Sequence, residues 1–136
     1  MEATGIMTEA DFGDPRIDEG IRLFNEGEYF ACHDVFEDYW GELVCPEKPF
    51  FQGLIQAAVA LYHFEERNLG GARKMYFSAS TYLRSFAPEC ARIDVSSLLQ
   101  QMDACFAELA QPHREYPAHI VMDTSLRPRI SRREQG

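Results

Sequence analysis

No apolar run in this 136-residue chain approaches the roughly 18 residues a membrane-crossing helix requires. The N-terminus carries no basic stretch followed by an apolar one, so a secretory leader is not expected either. Together these absences predict a cytoplasmic protein without membrane contact. None of the four cysteines (Cys32, Cys45, Cys90 and Cys105) stands in a C-x-x-C pair, and their separations of 13, 45 and 15 fit no zinc template. Reduced, mostly buried thiols are the expectation. Phosphate-binding glycine loops and G-x-S-x-G settings are also missing, which removes the usual P-loop and serine-hydrolase signatures. Positive charge is scarce: residues 1–110 hold 8 Lys and Arg against 19 Asp and Glu, a net of −11. Such a body repels phosphate backbones and makes nucleic acid an unfavourable partner. Residues 111–136 reverse the balance, 5 against 3 for a net of +2, through Arg127, Arg129, Arg132 and Arg133. The reading adopted for this cationic end is a solvated tail, or one lying on the protein's own acidic surface.

What the chain does have is apolar spacing at the helical period. Hydrophobic residues make up 46% and aromatics 12%, enough for one packed core. Met1 to Gly13 has few regularly spaced apolar residues and reads as a mobile lead-in. Asp14-Pro15 then supplies an N-cap and a proline at the first helical position, ahead of Ile17, Ile21 and Phe24. Gly27 ends this short helix. A second is predicted from Glu28 to Leu43, and the two prolines of Val44 to Pro49 predict a loop. Phe50 to Arg67 is apolar nearly all the way round, as a central helix should be, and side-chain-free Gly53 would admit a neighbouring helix closely.

Asn68 to Gly71 reads as a turn. A fourth helix follows to about Phe86, and a fifth, capped by Asp94, carries an apolar stripe from Val95 to Leu109. After Pro112 the periodicity is lost. The resulting expectation is an all-α protein: 1–13 a lead-in, 14–111 a single-domain antiparallel bundle or array of about five helices, and 112–136 an extended C-terminal strap. The apolar patch Ile120 to Met122 within that strap would pack on its own body or cross to a second copy, giving a homodimer.

The stretch Tyr29 to Trp40 (YFACHDVFEDYW) concentrates the chemistry. His33, Glu37 and Trp40 share one narrow helical sector at the shoulder of an apolar face, where a polar group needs a partner. The third helix offers one. Gln52, Gln56 and His63 fall within about 40° of one another on its wheel, with Val59 between them. Buried amides and imidazoles require hydrogen-bond partners, so the two stripes are expected to face each other.

Three chemistries suit such a group. With His33, Glu37 and His63 as ligands, a divalent metal such as zinc or manganese would activate water for hydrolysis, Gln52 and Gln56 supporting the ligands or holding substrate. Without a metal, His33 and Glu37 would be the catalytic candidates, a general base and its orienting carboxylate beside Trp40. Gln52, Gln56, His63 and Trp40 would then bind an unidentified small molecule. The third possibility is a structural hydrogen-bond seam that fixes helix register in a scaffold or interaction module. Tyr29, Tyr39 and Tyr62 are assigned to the core.

The ordered set H-x-x-x-E-x-x-W at His33, Glu37 and Trp40, F-Q-G-L-I-Q at Phe51 to Gln56, Tyr62-His63, and N-x-G-G-A at Asn68 to Ala72 resembles the family called domain of unknown function 309. The match covers roughly residues 17 to 86. The resemblance implies a small all-helical prokaryotic protein whose motif residues gather into one site, and it supplies no activity. This sequence has Asp34 where glutamate is common and Gly41 where a basic residue often follows the tryptophan; if that basic residue serves an anionic ligand, such binding is in doubt here.

Overall fold

The computed structural model describes residues 12–134. Five helices carry the fold: α1 Pro15–Asn25, α2 Tyr29–Trp40, α3 Lys48–Glu65, α4 Leu69–Arg84 and α5 Val95–Cys105. A two-stranded antiparallel hairpin, β1 Glu89–Cys90 with β2 Ile93–Asp94, separates α4 from α5, and a single 3₁₀ turn, Thr124–Leu126, interrupts the tail. The all-helical expectation holds for the body, while the hairpin was not foreseen. The lead-in expected over 1–13 lies almost wholly outside the described residues.

Local chemistry accounts for the helix ends. The Asp14 carboxylate accepts from the Arg16 backbone N–H, and Pro15 opens α1, satisfying a donor that has no intrahelical acceptor. Asp94 caps α5 in the same way through the Ser97 N–H. Gly27, at φ +79°, makes the left-handed step between α1 and α2 that favours a residue without Cβ. Several boundaries differ from the sequence reading, α3 ending at Glu65 and α5 at Cys105 among them. Helix α2 stops at Trp40 rather than Leu43, and Lys48-Pro49 opens α3 instead of closing the loop before it. A proline in a first turn forfeits only a donor that has no partner there. Asn68 to Gly71, read as a turn, is the start of α4: the Asn68 side chain accepts from the Gly71 N–H, and the left-handed residue is Arg67, at φ +62°.

Successive helices run antiparallel. In α1 and α2, Arg16 reaches Asp38 and Glu42 while Phe24 meets Tyr29. In α2 and α3, Phe30 meets Tyr62 and Tyr39 meets Phe51. Between α3 and α4, Phe50 meets Phe86 just past the end of α4, and a Cβ built on Gly53 would lie 2.9 Å from Leu83 Cδ2. Gly53 therefore permits the close approach that the sequence suggested, at the most extensive helix pairing of the molecule. As expected, α3 is the central element, with ten buried residues from Phe50 to Phe64.

The strap after Pro112 is largely extended and seated on its own chain. Ile120 and Ile130 are buried, and Asn25 pairs through its side chain with both backbone groups of Ile130. Ile93 bridges to Arg132, and Asp94 N–H donates to Ser131. The cationic end is consumed by the acidic body: Arg127 pairs with Glu65, Arg132 with Asp18 and Arg133 with Glu89. Among the described residues no helix is long and apolar enough to cross a membrane.

Candidate functional site

Helices α2 and α3 meet along a seam whose two ends differ. At one end, Tyr29, Phe30 and His33 of α2 and Val59, Tyr62 and His63 of α3 line a cavity of about 170 Å³ that is open to solvent on one side. The spacing explains the lining. Residues 29, 30 and 33 are one turn apart, as are 59, 62 and 63, so each helix contributes one contiguous face. The two motif histidines thus share one space, whereas Glu37, Gln52 and Gln56 are not on its lining.

His33 is about one quarter exposed, and carboxylates flank both of its ring nitrogens: Nε2 lies 2.7 Å from Glu37 Oε2, and Nδ1 lies 3.2 Å from Asp34 Oδ1. Glu37 is more than half exposed, so the pair sits at the rim. His63 Nδ1 lies 3.2 Å from Asn68 Nδ2. Because the Asn68 carbonyl oxygen already accepts from Gly71, its amide nitrogen is the donor and His63 Nδ1 the acceptor. The proton of a neutral His63 ring is thereby assigned to Nε2. Tyr29 is buried, and burial pushes its hydroxyl up to about 12 against the opposing effect of Arg127. The Arg127 guanidinium, reaching in from the strap, donates to Tyr29 Oη at 3.5 Å and lies 5.7 Å from its ring centroid. Next to Tyr29 in the helix spacing, the Cys32 thiol is fully buried and its pKa is raised by that burial.

At the other end of the seam stands Trp40, with the Lys48 ammonium 4.5 Å above its ring. Gln52 and Gln56, both half-buried, lie on α3 between this end and the cavity. The expectation that the two polar stripes satisfy one another by hydrogen bonds fails here. Trp40 Nε1 and Gln56 Oε1 are buried without a hydrogen-bond partner, an arrangement that costs about 1–3 kcal/mol per group in a packed interior. Nor do His33, Glu37 and His63 form a three-ligand metal set: among the described residues no group of three or more His, Cys, Asp and Glu is placed to hold a metal ion. The two histidines face a common cavity from different helices, and Glu37, which is not on its lining, is turned to His33 at the rim.

The sequence reading missed part of this site. Tyr29 is a core residue as assigned and Tyr62 packs against the core, but both are also cavity walls, and Phe30, 57% exposed, was not singled out. The i, i+3 and i, i+4 spacing used to group His33 with Glu37 also joins Phe30 and Tyr29 to His33, and would have found them. The roles of Asp34 and Asn68 carried no comparable signal. The thiols are all free, as expected, although two, Cys45 and Cys90, are only partly buried.

Residues 17–75 match the model of the family described as Domain of unknown function (DUF309), in agreement with the motif resemblance. The chain is similar to the uncharacterized protein YpuF of Bacillus subtilis (strain 168), 31% identical over 96 residues, which is 68% of this chain and 55% of YpuF. It is also similar to an uncharacterized protein of Aquifex aeolicus (strain VF5), 35% identical over 65 residues, which is 47% of this chain and 18% of that protein. The chain thus spans about half the length of YpuF and under a fifth of the Aquifex protein.

Proposed function

We propose that this protein binds a small molecule in the cavity between α2 and α3, with His33 and Glu37 at its mouth as a pair able to give or take a proton. One observation carries the reading: a cavity of about 170 Å³ whose lining includes both motif histidines among aromatic and aliphatic walls. That volume is close to the ~150 Å³ of an engineered apolar cavity that holds benzene. The ligand is therefore of single-ring or short branched-chain size.

The structural-seam alternative has less support, because a seam works by satisfying its members and both Trp40 Nε1 and Gln56 Oε1 lack partners. The metal-dependent hydrolase also has less support, since its ligand set does not converge. Proton transfer by His33, oriented by Glu37 at 2.7 Å, fits the geometry better than metal-activated water.

The test is ligand-observed NMR with a panel of neutral and cationic fragments of about six to ten non-hydrogen atoms, phenol, cyclohexanol and small amines included, on wild type and Val59→Phe. Val59 lines the cavity and is only partly buried, so the larger side chain occupies the space without invading the core. Fragments that bind wild type and are lost on Val59→Phe support the site. Absence of any binding, or equal binding to both proteins, overturns it.

A further inference from the structure

The cavity walls form a chain of neighbouring rings. His63 and Tyr62 have centroids 6.0 Å apart at 55°, Tyr62 and Phe30 are 5.6 Å apart at 56°, and Phe30 and His33 are 5.7 Å apart at 54°. These four rings line one cavity together with Tyr29, whose ring has the Arg127 guanidinium 5.7 Å from its centroid. Aromatic faces carry the negative end of the ring quadrupole, so several rings around one space attract a cation within about 6 Å of the centroids.

The acidic charges nearby act in the same sense, and Arg127 opposes them. Among the described residues no Lys, Arg, Asp or Glu lines the cavity, so an anion finds no fixed counter-charge there. Outside it, Asp34 and Glu37 stand against His33. The nearest cation on a wall residue, Arg127 against Tyr29, is held by Glu65 at 3.3 Å, and Arg67, at the end of α3, is bonded to the Ala118 carbonyl. The chain as a whole has a net charge of −9, which draws in cations and repels anions.

From the ring geometry and this charge distribution we infer that the ligand is a small organic cation of the methylated-ammonium class, free in solution, with its cationic head against Phe30 and Tyr62. The inference rests on the ligand-binding reading above and narrows it to one chemistry. A quaternary ammonium suits the site better than a primary amine. It needs no hydrogen-bond acceptor, and the cavity offers few: the walls are carbon apart from the two imidazoles and the tyrosine hydroxyls.

Choline and 3,3-dimethylbutan-1-ol have the same shape and differ in charge, a nitrogen cation replacing a quaternary carbon. Isothermal titration of the full chain at low ionic strength should show choline binding one-to-one, about fivefold or more tighter than the neutral alcohol. Tetramethylammonium should compete, and phosphocholine should bind more weakly than choline because its phosphate meets Asp34 and Glu37. Phe30→Leu keeps an apolar side chain but removes the ring face. Phe30 is 57% exposed, so the variant should keep its melting temperature and lose about fivefold in choline affinity.

Equal or tighter binding of the neutral alcohol would overturn the cation assignment while leaving the cavity a binding site. Tighter binding of phosphocholine would overturn the free cation in favour of a phospholipid headgroup. Failure of choline, while fragments of the neutral panel bind and are lost on Val59→Phe, would overturn this inference alone. Failure of every probe would remove both readings.

Discussion

Replacing Gly53 with alanine sets two effects of known size against each other at the centre of the molecule. In a helix interior, Gly→Ala contributes roughly 0.5–1 kcal/mol of stability by reducing the freedom of the unfolded chain. Here the new methyl would lie 2.9 Å from Leu83 Cδ2, 3.0 Å from Leu83 Cγ and 3.0 Å from Tyr82 Cβ. Leu83 is 1% exposed and has no empty space to enter. Tyr82 Cβ is fixed to the α4 backbone, so rotating the side chain does not move it away. Relief requires α3 and α4 to separate, and overpacking of this kind costs about 1–3 kcal/mol. The clash wins by about 1 kcal/mol. With an unfolding entropy of about 2 cal/mol/K per residue, that lowers the melting temperature by about 3–4 °C.

Chemical denaturation and calorimetry of wild type, Gly53→Ala, Leu83→Ala and the double variant check the argument. The loss from Gly53→Ala should shrink in the Leu83→Ala background, a coupling between touching residues. If Gly53→Ala equals or exceeds wild type in stability, the close approach of α3 and α4 is not what the glycine provides. Gly41→Ala is the control. Its methyl meets the Glu37 carbonyl oxygen at 3.3 Å and that of Asp38 at 3.9 Å, and the residue already has an α-helical backbone at φ −61°.

Asp14→Ala removes the α1 cap and the anchor of Arg16, with an expected loss of about 1 kcal/mol in urea unfolding. Arg16 holds the Asp14 carboxyl below its ordinary 3.8, so this contribution is fully present above that value and is lost as pH falls through the lower folded one. Below about pH 4 the stability of wild type should accordingly fall more steeply than that of Asp14→Asn. Burial pushes the Cys105 thiol up to about 11 and Cys90 up to about 12. At pH 8 the thiolate of Cys105 is then about one part in a thousand, and iodoacetamide should label the native protein slowly and the urea-unfolded protein rapidly at all four cysteines. Rapid labelling of native Cys105 would contradict its burial. Ile130→Ala should cost about 2–4 kcal/mol, since the side chain is 3% exposed, with no change of mass in light scattering if the strap is seated within one chain.

Helix number, order and caps were legible because they depend on local spacing. Asp14, Pro15 and Asp94 act within one turn of where they stand, and the all-round apolar character of Phe50 to Phe64 marked α3 as central. The hairpin at Glu89 to Asp94 was not legible, because its partners Ser131, Arg132 and Arg133 come from some 40 residues later. Asn68 to Gly71 misled because two glycines signal a turn, whereas the cap supplied by Asn68 and the left-handed Arg67 turn the chain one residue earlier. At the site, the pairing of His33 with His63 followed from two helical stripes joined by a short loop. The cavity did not. A helical wheel shows which side chains turn inward, and it cannot distinguish Tyr29 or Tyr62 packed against atoms from the same residues facing a space.

The bond from Asn25 to Ile130 spans 105 positions, whereas α1 to α4 each pair with the helix next in the chain. Helical hairpins close short loops and form early. The strap must close a long one, and it has no surface to dock on until those helices stand together. It is therefore expected to be the last segment to join during folding and the first to leave during partial opening, which hydrogen exchange at the Asp94 and Ile130 amides would report. Such an opening does not stop at the strap. It withdraws Arg127 from Tyr29 and Glu65, so one wall of the cavity becomes free while the helices remain intact, and the rigidity of that wall follows the population of docked strap.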